Sequence, residues 1–153
     1  MRIQKQQFRE EFHSSIGVLN FVARLLAGKW GIPVFNFFDR LQRGKKLNDP
    51  NYRNETHYVK SRNGGPDIRI RVFRPKHVEG PLPALLYCHG GGYMVGSPEN
   101  YLMVYNYFLK KRPCIIVAPD YRNSPKAPYP EGLDDCYDTL LWMQETAESI
   151  GAI

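Results

Sequence analysis

Apolar and polar positions follow different periods in successive stretches of this chain. From about Gln4 to Ala27, Phe8, Phe12, Leu19, Val22, Leu25 and Leu26 recur at three- and four-residue steps. That spacing predicts an amphipathic helix, with Gly28 as its stop. A shorter helix is expected over Val34–Leu41, with Pro33 at its start and Gly44 ending it. Lys45 to Asn54 is polar, carries Pro50 and reads as a linker. His57–Lys60 and Ile68–Phe73 read as two strands. In the second, Ile68, Ile70 and Val72 alternate with Arg69 and Arg71, the period of a strand buried on one face. Asn63-Gly64-Gly65 lies between the two runs and signals a hairpin.

Pro75, Pro81 and Pro83 then separate the hairpin from a short, continuously apolar run at Ala84–Cys88. Such a run, bounded by a proline and by glycines, predicts a buried third strand. After it, Ser97-Pro98 supplies a helix N-cap and a first-turn proline. The apolar stripe of that helix is Tyr101, Leu102, Tyr105, Phe108 and Leu109, and Lys110-Lys111-Arg112 suit its negative end. Cys114–Ala118 is a fourth strand, closed by Pro119-Asp120. A proline-rich loop runs from Tyr121 to Pro130. A last helix is expected from about Leu133 to Ile150, with Leu133, Tyr137, Leu140, Leu141 and Met143 inward. Two buried strands joined by a helix must run parallel. The expected class is therefore α/β, with helices first, then a β-hairpin, then a parallel βαβα unit.

Composition narrows the function classes. The net charge of +6 is spread over many segments, with no basic stripe bearing aromatic platforms, so nucleic acid is not an expected partner. The three cysteines, Cys88, Cys114 and Cys136, fit reduced thiols better than a disulfide framework. None has metal-ligand spacing with a histidine, and no metal or cofactor is expected. Charged residues precede any apolar stretch, which argues against a signal peptide, and Ile16–Leu26 is too short to span a bilayer. A cytoplasmic location is the expectation. The Phe, Leu and Trp of the N-terminal helices could also lie on a membrane surface, but Glu10 and Glu11 favour core or lid packing.

The informative chemistry lies where the third strand ends, at His89-Gly90-Gly91-Gly92-Tyr93. Three glycines remove side chains from the strand's carboxyl end, so a ligand can approach the main chain. One reading is dinucleotide binding: Gly90, Gly92 and Gly96 follow a strand and precede a helix, and Asp120 ends the next strand where a ribose-binding acid would sit. The third glycine is displaced by one position from that fingerprint. Another is an oxyanion hole, in which main-chain N–H groups meet the charge that develops on a carbonyl oxygen during acyl transfer. A His-Gly-Gly-Gly loop after the third strand supplies such a donor in α/β-hydrolase esterases, and the strand count fits. A third reading is a binding module of the same fold without catalysis.

His89-Gly90-Gly91-Gly92-Tyr93 with Gly96-Ser97, followed by Asp120-Tyr121-Arg122, Pro125, Pro128, Pro130 and Asp134-Asp135, resembles the hormone-sensitive-lipase-like esterases of the α/β-hydrolase superfamily. The resemblance covers roughly residues 55 to 150. It implies a helical cap-like segment at 1–46 and the N-terminal part of a hydrolase core at 47–153. It implies that Gly91 and Gly92 donate the oxyanion N–H groups, that His89 and Gly90 belong to the bracing of the loop, and that Tyr93 lines the acyl pocket. Asp120, Tyr121 and Arg122 would be structural. Asn123-Ser124 and Lys126 depart from the family's usual residues, outside the implied chemistry.

A larger departure concerns the nucleophile. None of the six serines (Ser14, Ser15, Ser61, Ser97, Ser124, Ser149) has the flanking glycines of a G-x-S-x-G elbow. His13, His57 and His77 precede the glycine loop, whereas the family's base follows it. The chain is thus expected to be the N-terminal portion of a carboxylic-ester hydrolase, inactive alone, truncated before the nucleophile elbow. Its expected partners are a small carboxylic ester and the missing C-terminal half. The third strand, left as an apolar edge, would drive self-association.

Overall fold

The computed structural model describes residues 20, 21, 24, 28, 31–43, 49–124 and 126–153. The expected helix over Gln4–Ala27 lies almost wholly outside the described residues, as do the expected boundary at residues 46 and 47 and Pro125. The chain forms two compact units, Met1–Leu41 and Gln42–Ile153. In the first, α1 spans Gly31–Gln42, three residues longer at its start than the periodicity predicts. Phe35, Phe37 and Phe38 stand exposed on it.

The second unit is built on a four-stranded sheet of β1 (Tyr52–Val59), β2 (Ile68–Pro75), β3 (Ala84–Leu86) and β4 (Ile115–Pro119), in the order β1-β2-β4-β3. β1 and β2 form the expected antiparallel pair, in register from Tyr52 opposite Pro75 to Val59 opposite Ile68. The connection is not a tight two-residue turn. It runs over residues 60–67, with Gly64 at φ 71° and its N–H donating to the Ser61 carbonyl at 3.2 Å. β2 pairs antiparallel with β4, and β4 pairs parallel with β3, Ala84 opposite Ile115 and Leu86 opposite Val117.

β4 is central and buried along its whole length, as its unbroken apolar sequence requires. Its side chains alternate between two cores. Ile115 and Val117 join Ile68, Ile70, Val72, Leu82 and Met143 on one face. Ile116 and Ala118, with Cys114 just before the strand, join Tyr52, Phe73, Tyr105 and Leu109 on the other. The first face meets α3 (Glu131–Glu145); the second meets α2 (Leu102–Lys111), entered through a 3-10 turn at Pro98–Tyr101.

Covering both faces overturns the reading of β2 as half exposed. Arg71 is 3% accessible, and the Arg69 side chain is also largely buried. They face the α2 side, where Glu99 from the 3-10 turn meets them. Arg69 donates from Nη1 to Glu99 Oε1 at 2.7 Å and from Nη2 to Oε2 at 2.9 Å. Its Nε and Nη2 also reach Asp120 Oδ2, at 3.0 and 2.9 Å. Arg71 lies 3.6 Å from Glu99 Oε1 and donates to Thr56 and Asn54 of β1. Burial opposes the Arg69 charge, yet Glu99 and Asp120 more than offset it and raise its pKa. Burial also opposes ionisation of Glu99, but Arg69 and Arg71 hold its carboxyl below the usual range.

The last helix corrects a second expectation. It breaks at Thr146 into α3 and a short α4 (Ala147–Ile150), closed by Gly151 in the left-handed region at φ 72°. Its inward face is Asp135, Asp138, Thr139 and Met143, whereas Leu133, Tyr137, Leu140 and Leu141 are exposed, Leu133 by 56%. Arginines decide this orientation. Arg122 forks onto Asp135, and Arg62 bonds Asp138 through its backbone N–H and its Nε. Pairing with the arginines offsets much of the cost of burying these aspartates, which alone would not be tolerated. Beyond α4 the chain returns beside Leu82: Leu82 N–H donates to the Gly151 carbonyl, and Ile153 N–H to the Leu82 carbonyl, both at 3.0 Å. Residues 151–153 therefore lie parallel to the start of β3, on the side away from β4.

Arg69→Met leaves Glu99 and Asp120 buried without their main cation. It is expected to lower stability by about 3–5 kcal/mol, while Lys60→Ala, at the exposed Lys60–Asp67 pair, changes it by less than about 1 kcal/mol. Urea unfolding midpoints of the two variants check this contrast.

Candidate active site

β3 hands the chain to the glycine loop with its hydrogen bonding intact, since Tyr87 N–H still donates to the Val117 carbonyl at 2.8 Å. The loop then turns sharply. The Gly91 carbonyl accepts from the N–H groups of both Met94 and Val95, each at 3.2 Å. The turn places Gly91 at φ 130°, Gly92 at φ 60° and Tyr93 at φ 61°, a conformation that side chains disfavour. At Gly91 the requirement is absolute, because a Cβ would sit 1.8 Å from the Val95 carbonyl oxygen. At Gly92 it would meet only the Met94 methyl, at 3.9 Å. Among the described residues, neither the Gly91 nor the Gly92 N–H has a partner within the chain.

The loop is held from below and from the side. His89 is buried and stacks on Tyr121, ring centroids 4.1 Å apart and planes 13° from parallel. The Tyr121 hydroxyl donates to the His89 carbonyl at 2.6 Å. His89 Nδ1 lies 2.8 Å from the Gly90 carbonyl; a carbonyl only accepts, so this nitrogen carries the proton. At Gly90 a Cβ would lie 2.8 Å from the Tyr101 hydroxyl, so the Tyr101 side chain would have to shift to admit it. On the flank, Ser124 N–H donates to the Tyr93 carbonyl at 2.6 Å, and Asn123 Nδ2 reaches the Gly96 carbonyl at 3.4 Å.

Asp120, Tyr121 and Arg122 are thus spread over three different supports. Asp120 turns to Arg69 and, at 3.2 Å, to Arg43. Burial outweighs both cations there and raises its pKa. Tyr121 holds His89. Arg122 points the opposite way, to Asp135 and to Glu131 Oε2 at 2.7 Å, and the hydrogen bonds to Asp135 raise its pKa. With its side chain 5% exposed and tied to arginines, Asp120 is not available to a ribose, which disfavours the dinucleotide reading.

The loop, the segment after β4 and the start of α3 enclose a cavity of about 690 Å³. Gly90, Gly92, Tyr93, Cys88, Tyr121 and Leu133 are among its lining residues, and Gly91 is not. This is the size range of small-molecule sites. Tyr93 is 71% exposed at the rim. Of the residues singled out from sequence, His89, Gly90, Gly92, Tyr93, Tyr121 and Arg122 meet at this cavity; Asp120 stands behind it. Glu99 and Cys136 were missed. An acid beside a helix N-terminus looks like dipole complement, and a cysteine inside a helix looks like filler. Among the described residues no group of three or more His, Cys, Asp or Glu is placed to hold a metal, and no helix is long and apolar enough to cross a membrane.

Comparison with known proteins points the same way. The profile of a family described as alpha/beta hydrolase fold matches residues 85–152. Carboxylesterase NlhH of Mycobacterium tuberculosis is 38% identical over 85 residues, covering 56% of this chain and 27% of its own length. The chain thus spans little more than a quarter of that relative. The hyperthermophilic esterase of the archaeon Pyrobaculum calidifontis superposes with a TM-score of 0.67 at 29% identity, over 88% of this chain and 43% of its own. Brefeldin A esterase, a bacterial homologue of human hormone-sensitive lipase, does so with a TM-score of 0.61 at 28% identity, over 86% and 38%.

Replacing Gly92 by Ala is expected to cost about 1–2 kcal/mol, the penalty of a left-handed residue with a free Cβ. Gly91→Ala, which meets a carbonyl oxygen as well, should cost more than Gly92→Ala and unfold the loop. Denaturation midpoints, with amide exchange at Met94 and Val95, distinguish the two.

Proposed function

We propose that this chain, which belongs to the hormone-sensitive-lipase-like esterases of the α/β-hydrolase superfamily as an N-terminal part, contributes the oxyanion hole of a serine carboxylic-ester hydrolase. The observation that carries the proposal is the turn at Gly91–Val95 just beyond β3, which leaves the Gly91 and Gly92 N–H groups without partners among the described residues.

In the complete enzyme, a serine attacks the ester carbonyl, histidine takes its proton and an acid orients the histidine. Negative charge then develops on the carbonyl oxygen, and the Gly91 and Gly92 amides receive it. Removing one such donor costs about 3 kcal/mol, a hundredfold or more in rate. Preorganisation makes the donors effective. His89 is clamped between Tyr121 and the Gly90 carbonyl, so the loop does not have to reorganise as charge forms. Tyr93 and Leu133 give the cavity an aromatic and an aliphatic surface suited to an acyl group.

The serine, acid and base are not among the chain's own candidates, since no serine here has an elbow sequence. Alone, the chain is expected to show no ester turnover above background. Co-expressed with the remaining part of a hydrolase bearing G-x-S-x-G, it should restore cleavage of p-nitrophenyl esters. His89→Ala or Gly91→Val should lower that rate about a hundredfold or more. Full activity in both variants, or none in the co-expressed pair, would sink the reading.

The exposed apolar face of α3 and the open side of β3 past Leu82 support a proposal about the isolated chain. It should self-associate in dilute buffer, a concentration-dependent shift in sedimentation being the expected result.

A further inference from the structure

The cavity wall carries a pair of groups that ester hydrolysis does not use. Cys88 directly precedes His89 and is exposed, whereas Cys136 lies on α3 and is half-buried; both line the same cavity and both are free thiols. The third thiol, Cys114, is buried in the core against α2 with Tyr105 and Leu109, away from that cavity. A small oxidant entering from solvent therefore meets the first two and not the third. The two thiols act on each other: Cys136 favours the charged form of Cys88 and brings it down to about 7. The same interaction, together with burial, pushes Cys136 up. The pair thus favours the charge on Cys88 and the proton on Cys136. That division of roles separates an attacking from a resolving cysteine.

We propose that Cys88 and Cys136 form a peroxide-reactive modification site, closing to a disulfide that ties the residue before the glycine loop to α3 across the cavity wall. The oxidant is hydrogen peroxide. The Cys88 thiolate attacks one peroxide oxygen, the O–O bond breaks and hydroxide leaves, giving a sulfenic acid on Cys88. The Cys136 sulfur then attacks the Cys88 sulfur. The S–O bond breaks, and the oxygen departs as water with the Cys136 proton. The two thiols lose two electrons in all, and the peroxide is reduced to water. The bond would anchor the backbone immediately before His89, so oxidation would restrain the loop that the cavity is built around. None of these steps depends on the esterase reading.

The test treats the whole chain with hydrogen peroxide at neutral pH, alkylates it, digests it and identifies cysteine-containing peptides by mass spectrometry. The expected product is a Cys88–Cys136 linked pair, lighter by two hydrogens and released by dithiothreitol, with Cys114 recovered as the alkylated thiol. In Cys136→Ala and Cys136→Ser, Cys88 should instead stop at a sulfenic acid that dimedone traps. Without oxidant, alkylation of Cys88 by iodoacetamide should follow a midpoint near pH 7. In Cys136→Ala the midpoint should move toward the ordinary thiol value of about 8.5, slowing the reaction at pH 7 by roughly tenfold or more. Linkage to Cys114, sulfinic or sulfonic acid on Cys88 beside an intact Cys136 thiol, or an unreacted Cys88 would each overturn the proposal. So would an unchanged alkylation midpoint in Cys136→Ala.

Discussion

A single guanidinium sets the frame of the candidate site. Arg69 joins β2 to the turn that opens α2, through Glu99, and to the carboxyl end of β4, through Asp120. The glycine loop lies in sequence between β3 and Glu99, and the segment that braces it begins at Asp120. Both supports are therefore referred to one strand. An arginine suits this position because its planar fork grips Glu99 with two parallel bonds and still has donors left for Asp120, a fixed geometry that the single nitrogen of a lysine does not offer. Such a network is costly to break and contributes little extra stability over an apolar core. What it supplies here is position.

Within that frame, the loop's shape follows from local sterics. Gly91 sits where no Cβ fits, and Gly90 packs under the Tyr101 hydroxyl. His89 is used for its ring as much as for its nitrogen, as a flat surface against Tyr121. The proposed oxyanion hole is thus a stretch of backbone whose Gly91 and Gly92 N–H groups have no partner among the described residues, beside a histidine held by its stack on Tyr121.

Much of this was legible beforehand because the signals were local. The alternation in Ile68–Val72, the unbroken apolar run at Ile115–Ala118 and the Ser97-Pro98 start each reflect one element's own geometry. What was not legible depended on partners distant in the chain. Arg69 and Arg71 read as solvent-facing until Glu99, some thirty residues on, was seen to meet Arg69. The orientation of α3 was inverted for the same reason. Periodicity reveals that a helix has two faces, but Asp135 and Asp138 turn inward only because Arg122 and Arg62 wait there. The meeting of Cys88 and Cys136 carried no sequence signal at all, since it arises where α3 and the segment after β3 line one cavity.

The short contact between Leu82 and residues 151–153 has a consequence for phase. Along a strand, neighbouring side chains serve opposite sides, and here Ala152 faces the packed interior with Leu82 and Met143 while Ile153 stands outward, 81% accessible. Two hydrogen bonds to one residue fix that choice. A slip of one position would exchange the methyl for the larger side chain in a space fitted to the smaller. Gly151, whose carbonyl, with that of Ile150, is gripped by Arg74, works as the detent that prevents it.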